Sequence, residues 1–271
     1  MEWKNIYRGL IMGASDVIPG VSGGTIAVLL GIYDRLITAI NGIFSKEWKK
    51  HLGFLIPLGI GMGTAILLFS KVIEWLFEHH PGATKFFFLG LIIGVLPYLF
   101  QQADAKNTFK IKHIVLLLIG VVLIGMMTFL HPNEGAVITD RSMSTYVLLF
   151  FSGMAGSAAM ILPGISGSLV LLIIGVYTTV ISAISNLQLD IIAVTGLGIV
   201  FGILAMSKII HFFLVRYRTA TFALIVGSVI GSIFVVFPGW PVSISNGLLS
   251  IVTFAVGLLV AYILGKVEYK D

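Results

Sequence analysis

The chain has no cysteine, which excludes disulfides, thiolate metal sites and cysteine nucleophiles. Charge is also scarce. Asp, Glu, Lys and Arg make up 11% of the 271 residues, against roughly 25% in a soluble domain, while 58% of the residues are hydrophobic. No polar stretch is long enough to fold as a separate soluble domain. The six histidines (His51, His79, His80, His113, His131 and His211) show no metal-ligand spacing, and there is no His-Glu-x-x-His, phosphate-binding loop or serine-nucleophile elbow. No metal or cofactor is therefore expected, and an enzyme reading such as a lipid phosphatase lacks its nucleophile and its positioned acid or base. The net charge of +5 comes from basic residues that flank apolar runs, as membrane anchors do, so no nucleic-acid partner is expected.

What is present is apolar sequence in membrane-length pieces, with a mean hydropathy of +1.05. This predicts an all-α polytopic membrane protein. Residues 1–20 hold Asp16 and a Pro-Gly break, and so read as part of the fold rather than as a removable signal peptide. Residues 6–18 are apolar but too short to cross a bilayer as a helix at about 1.5 Å per residue. After Pro19-Gly20 a second arm runs from residue 22 to about 40, giving a re-entrant helical hairpin over 6–40. Spans are expected at 52–77, 86–100 and 113–130.

The plan then repeats. Pro19-Gly20-Val21-Ser22-Gly23 returns as Pro163-Gly164-Ile165-Ser166-Gly167, 144 positions later. Further along, the offset is 137: Gly59 and Gly61 fall on Gly196 and Gly198, Ser70-Lys71 on Ser207-Lys208, Gly90 and Gly94 on Gly227 and Gly231, and Gly120 on Gly257. The second unit, 145–271, is read as a hairpin over 146–184 and spans at 189–215, 219–237 and 248–265, matching the first unit over 1–140 in one integrated membrane domain. One hairpin plus three spans is an odd number of crossings, so the second unit should be inserted upside down. Basic residues agree with this. Lys4, Arg8, Lys46, Lys49, Lys50, Lys106, Lys110, Lys112, Arg216, Arg218, Lys266 and Lys270 fall on one side, and Lys85 and Arg141 on the other. The positive-inside rule makes the first side, with both termini, cytoplasmic. Inverted repeats with broken helices are a recurrent transporter plan.

In each tip a helix starts just after Pro-Gly, so free N–H groups and the positive end of the helix dipole point into the tip. Ser22, Gly23, Gly24 and Thr25 in one copy, and Ser166, Gly167 and Ser168 in the other, add hydroxyls and close backbone approach. That combination suits an anion such as a phosphate. The plainer reading is a tight, self-capped turn. Asp16 precedes the first tip and faces Met160 in the repeat register. It is a candidate coupling site for H+ or Na+, or alternatively a carboxylate that caps the tip. Lys71 and Lys208 could pass a phosphate along at the two ends of a path; otherwise they snorkel, or Lys71 pairs with Glu74. Arg35 beside Asp34 reads as an interfacial anchor, and Phe86-Phe87-Phe88 as part of an aromatic belt.

Residues 13–25, Gly-Ala-Ser-Asp-Val-Ile-Pro-Gly-Val-Ser-Gly-Gly-Thr, with Gly31-Ile32-Tyr33, resemble the signature of the polyprenyl-phosphate transporter family of bacteria and archaea, of the PopT type. The second signature, Leu162-Pro163-Gly164-Ile165-Ser166-Gly167-Ser168 with Gly175-Val176-Tyr177, resembles it too, and the likeness extends over essentially the whole chain. The resemblance implies a multi-pass protein of a prokaryotic cell membrane. It would return undecaprenyl phosphate from the outer to the cytoplasmic leaflet, so that the carrier lipid is reused for peptidoglycan and other envelope polymers. Bilayer lipids would surround its prenyl tail. The residues by themselves leave a second reading open, a small-anion channel or exchanger built on the same half-helix ends. Oligomeric state is not legible in the sequence.

Overall fold

The computed structural model describes residues 1–16, 22–129, 136–241 and 243–268, with the side chains of Ser70, Glu74 and Ser185 also outside the description. The described residues form helices and no strands: α1 (Asn5–Asp16), α2 (Gly23–Leu29), α3 (Tyr33–Asn41), α4 (Trp48–His79), α5 (Pro81–Gln102), α6 (Ala105–Thr108), α7 (Ile111–Gly125), α8 (Met143–Ile161), α9 (Gly167–Ile174), α10 (Tyr177–Ser185), α11 (Leu189–Arg216), α12 (Arg218–Val236) and α13 (Ile244–Glu268), with short 3-10 turns after α3 and α7. Seven of them are long and apolar enough to cross a bilayer. The protein is an all-helical, multi-pass membrane protein.

Six of the seven coincide with the expected spans. The seventh is α8, which at 19 residues is much longer than its counterpart α1 at 12. Its start is fixed by Ser142, whose hydroxyl oxygen accepts the Thr145 N–H at 3.4 Å.

A second departure concerns the outgoing arms. Continuous helices were expected over 22–40 and over 165–184, but each is cut in two. The axes of α2 and α3 meet at 120°, and those of α9 and α10 at 112°. Gly31 (φ +63°) and Gly175 (φ +84°) sit at the bends, in the left-handed region where a Cβ is strained. The repeated Gly-x-Tyr triplets are therefore helix stops.

Helices pack in four principal pairs: α1 with α4, α8 with α11, α5 with α13, and α7 with α12. Glycines let the backbones touch. Gly9 faces Gly61, Gly153 and Gly198 lie against Thr195 and Phe150, Gly90 faces Gly257, and Gly120 faces Gly227. A methyl group at any of these would strike the partner's main chain. Two of the pairs stay within one half of the chain, and two join the halves.

The larger hydrophobic cluster holds α2, α3 and α5, with parts of α4, α11 and α12; a small second cluster gathers Leu149, Val176, Ala183 and Ile191. Phe88 belongs to the first cluster and Phe86 and Phe87 pack on it, so this run is core rather than an aromatic belt.

Charged pairs mark two ends of the bundle. At one end Arg8 binds Glu268 at 2.5 Å and Arg218 binds Asp34 at 2.7 Å, while Arg35 reaches Glu2. At the other, Arg141 meets Asp190 at 2.8 Å. Asp190 and Arg216 lie at opposite ends of α11, whose 28 residues span about 42 Å.

Candidate functional site

Pro163 has no N–H, so α8 must end before it and its last carbonyls lose their helical partners. The first half of the chain supplies replacements. The Ser22 hydroxyl donates to the Met160 carbonyl at 3.0 Å, and the Tyr33 hydroxyl donates to the Ile161 carbonyl at 3.2 Å. The Gly164 N–H, freed by the turn, donates to the Thr25 hydroxyl oxygen at 2.9 Å. Gly164 has φ +90°, and a Cβ there would stand 2.6 Å from the Ser228 carbonyl oxygen, so the turn presses directly on α12. Three hydrogen bonds between residues far apart in sequence thus bring the two tips together.

The first tip is already filled. The Gly23 N–H donates to Asp16 Oδ1 at 2.5 Å, the Gly24 N–H to the Ser22 hydroxyl oxygen at 3.1 Å, and the Thr25 N–H to the Ser22 carbonyl at 2.9 Å. Asp16 therefore occupies the positive end of α2 as a built-in anion. Its other oxygen, Oδ2, is buried with no partner among the described residues. Pro19 and Gly20 lie outside the described residues.

The second tip is open. Ser166 and Ser168 hydroxyls meet at 2.8 Å, Ser166 makes no capping bond, and no acceptor among the described residues takes the Gly167, Ser168 or Leu169 N–H. Both tips were expected to offer an anion site, with Asp16 as the residue that breaks their symmetry. The difference follows from Asp16, because the register places Met160, which cannot accept these bonds, at the corresponding position.

Two cavities adjoin the tips. One, of about 240 Å³, is lined by Asp16, Ser22, Ser157, Ser166, Gly167 and Ser168 among others. The other, of about 260 Å³ and almost wholly apolar, is lined by Asp16, Gly23, Gly24, Leu55, Leu58 and Met62 among others. Asp16, Ser157, Met160 and Ile203 belong to both. Thr25, at 2% exposed, lines neither, because its oxygen is engaged by Gly164. Lys71 and Lys208 lie on exposed faces of α4 and α11 and line neither cavity.

Tyr33 and Ser157 were missed as site residues from sequence. Tyr33 lies in the repeated Gly-x-Tyr triplet, which was a signal that could have found it. Ser157 stands where the repeat register has Gly13, and a small residue in a helix gives no such signal.

No solved structure matches the chain. It is 42% identical to the polyprenyl-phosphate transporter of Staphylococcus aureus, covering 100% of this chain and 98% of that protein. It is 38% identical to the polyprenyl-phosphate transporter of Vibrio cholerae, covering 90% and 80% respectively. A match to the family described as undecaprenyl phosphate translocase-like extends over residues 12–247. With both relatives similar over most of their length and the family match spanning both tips, the chain belongs to the undecaprenyl phosphate translocase-like family.

Proposed function

We propose that this protein carries a polyprenyl phosphate, undecaprenyl phosphate in the first instance, from the outer to the cytoplasmic leaflet of a prokaryotic cell membrane. The observation that carries this reading is the pair of adjoining cavities where the tips meet. One offers hydroxyls and unpaired N–H groups suited to a phosphate, and the other is apolar and suited to the first units of a prenyl chain. Relatives bearing the transporter name supply the substrate class.

In this reading Ser166, Gly167 and Ser168 hold the phosphate. Ser22 lines the opposite wall of that cavity, Gly23 and Gly24 line the apolar one, Thr25 holds the second tip in place through Gly164, and the Pro-Gly pairs set the breaks. Lys71 and Lys208, outside the cavity, are assigned to the two ends of the path. The two halves, 1–140 and 145–271, are inverted repeats with both termini cytoplasmic. The reading is supported by the matched helix pairs, since α1–α4 corresponds to α8–α11, and α5–α13 to α12–α7. Alternating access then arises from rocking of these pairs.

Asp16 supplies coupling. Asp16 lines the same cavity as Ser166 and Ser168, so an ionised carboxylate there repels a bound phosphate and weakens its binding. H+ or Na+ on Asp16 removes that repulsion, so cation and phosphate favour each other's binding.

The test is uptake of undecaprenyl phosphate by vesicles holding the purified protein. Ser166→Ala/Ser168→Ala removes hydrogen bonds to a charged group and is expected to cut uptake at least tenfold. Unchanged uptake would overturn the phosphate assignment. Uptake of short-chain phosphates or chloride with equal ease would favour the small-anion exchanger instead. Asp16→Asn is expected to leave the protein folded but to abolish the effect of an imposed H+ or Na+ gradient. A retained gradient response would remove Asp16 from the coupling scheme.

A further inference from the structure

At the end of the bundle that holds Arg8, Glu268 and Arg218, a cleft of about 360 Å³ opens between the start of α7 and the α11–α12 turn. Lys110, Lys112, His113, Arg216, Tyr217 and Arg218 line it, and no carboxylate does. Arg218 is held by Asp34 from α3. Lys110, Lys112 and Arg216 are exposed and form no ion pair among the described residues. The buried ring of His113 accepts the Lys110 N–H at 3.1 Å, which fixes the entry of α7 and with it the two lysines that flank the cleft.

The repeat supplies an internal control. At the opposite end, a cleft of about 260 Å³ lies between the α4–α5 turn and the start of α13. Its His79, His80 and Pro81 stand 137 positions before Arg216, Tyr217 and Arg218, while its Leu249 and Ser250 stand 137 after Lys112 and His113. The same backbone arrangement therefore makes a cleft twice. Among the residues lining the two clefts, lysine and arginine occur in only one.

We infer that the cleft of Lys110, Lys112, Arg216 and Arg218 is a second anion site, which takes the phosphate of an anionic lipid headgroup at the membrane surface. Three cations without carboxylate partners line one concave space at the ends of apolar spans, where basic side chains attract anionic headgroups. Tyr217, half exposed at its mouth, supplies the amphipathic surface that suits the headgroup level. The site shares no residue with the tip cavity and does not depend on transport, so its failure and the failure of the transport reading are separable.

The experiment measures retention of phosphatidylglycerol by the full chain, taken from phosphatidylcholine nanodiscs with graded phosphatidylglycerol, by native mass spectrometry. Each surface cation is worth about fivefold, so Lys112→Gln/Arg216→Gln is expected to weaken retention about thirtyfold. Lys46→Gln/Lys49→Gln removes two exposed lysines that line none of the cavities described, and is expected to change retention less than twofold. Either single cleft substitution, at about fivefold, decides the matter if the pair does not express. Equal losses in the two double variants would mean a diffuse surface charge and overturn the site, as would absence of retention by the unaltered protein. In a second arm, excess inorganic phosphate is added. Failure to displace the lipid supports a lipid headgroup as the ligand, whereas displacement keeps the phosphate site and moves its source to a soluble phosphate.

Discussion

Ser22 and Ser166 stand at the same place in their repeats, and their surroundings differ. Ser22 is 1% exposed. Its hydroxyl joins the Met160 carbonyl to the Gly24 N–H, and all seven residues of the helix it starts are buried. Ser166 is also buried, at 5% exposed, but its hydroxyl bonds only to Ser168, and the helix it starts has no buried residue. Both tips adjoin a cavity, but the first also clamps the other half with its hydroxyls, while the second keeps its first N–H groups unpaired among the described residues. Two similar stretches of sequence thus give one fully hydrogen-bonded tip and one open tip.

The largest effect that bears on this comparison is expected at Gly164. Valine there meets both the positive φ and the Ser228 carbonyl, and should cost about 3 kcal/mol or more. Gly175→Ala, with a similar φ but nothing within 4 Å of the added methyl, should cost about 1–2 kcal/mol. Thermal unfolding in detergent ranks the two. Equal losses would show that φ alone governs the second tip and that its contact with α12 contributes nothing.

Next come the serines. Ser22→Ala strips a cap and leaves the Met160 carbonyl without its donor, so a loss of about 1–2 kcal/mol is expected. Ser166→Ala should stay within about 0.5 kcal/mol in the same assay. If the two serines prove interchangeable in stability, the contrast between a clamped and an open tip is wrong.

The smallest effect separates the tyrosines that follow the bends. Tyr33 is fully buried and donates to the Ile161 carbonyl, so Tyr33→Phe should cost about 1 kcal/mol. Tyr177 is partly exposed, with no hydrogen bond among the described residues, and Tyr177→Phe should leave the melting temperature unchanged. A double-mutant cycle of Tyr33→Phe with Ser22→Ala sharpens the picture further, because both hydroxyls serve the same helix end.

Much of this was legible beforehand. Hydrocarbon forces each span to satisfy its own backbone, so apolar runs such as 189–215 and 219–237 became helices within a residue or two of their expected ends. Pro163 announced a break because a missing N–H acts locally. The bends at Gly31 and Gly175 were less visible, since glycine is common in membrane helices and only the three-dimensional chain shows which one turns left-handed. Thr25 illustrates the limit on the site: its hydroxyl looks free in sequence and is taken by a residue 139 positions away.

Sequence by itself determined the membrane class, the long spans, the break at Pro163 and the chemistry available at the tips, because propensity, hydropathy and proline act over a few residues. The tertiary structure alone decided that Asp16 fills one tip and lines two cavities, that the tips hold each other, and that four cations share a cleft. Those outcomes depend on which far-apart groups meet, and burial makes each meeting all or nothing. A hydroxyl or carboxylate out of water must find a partner, and only the packed chain says which one.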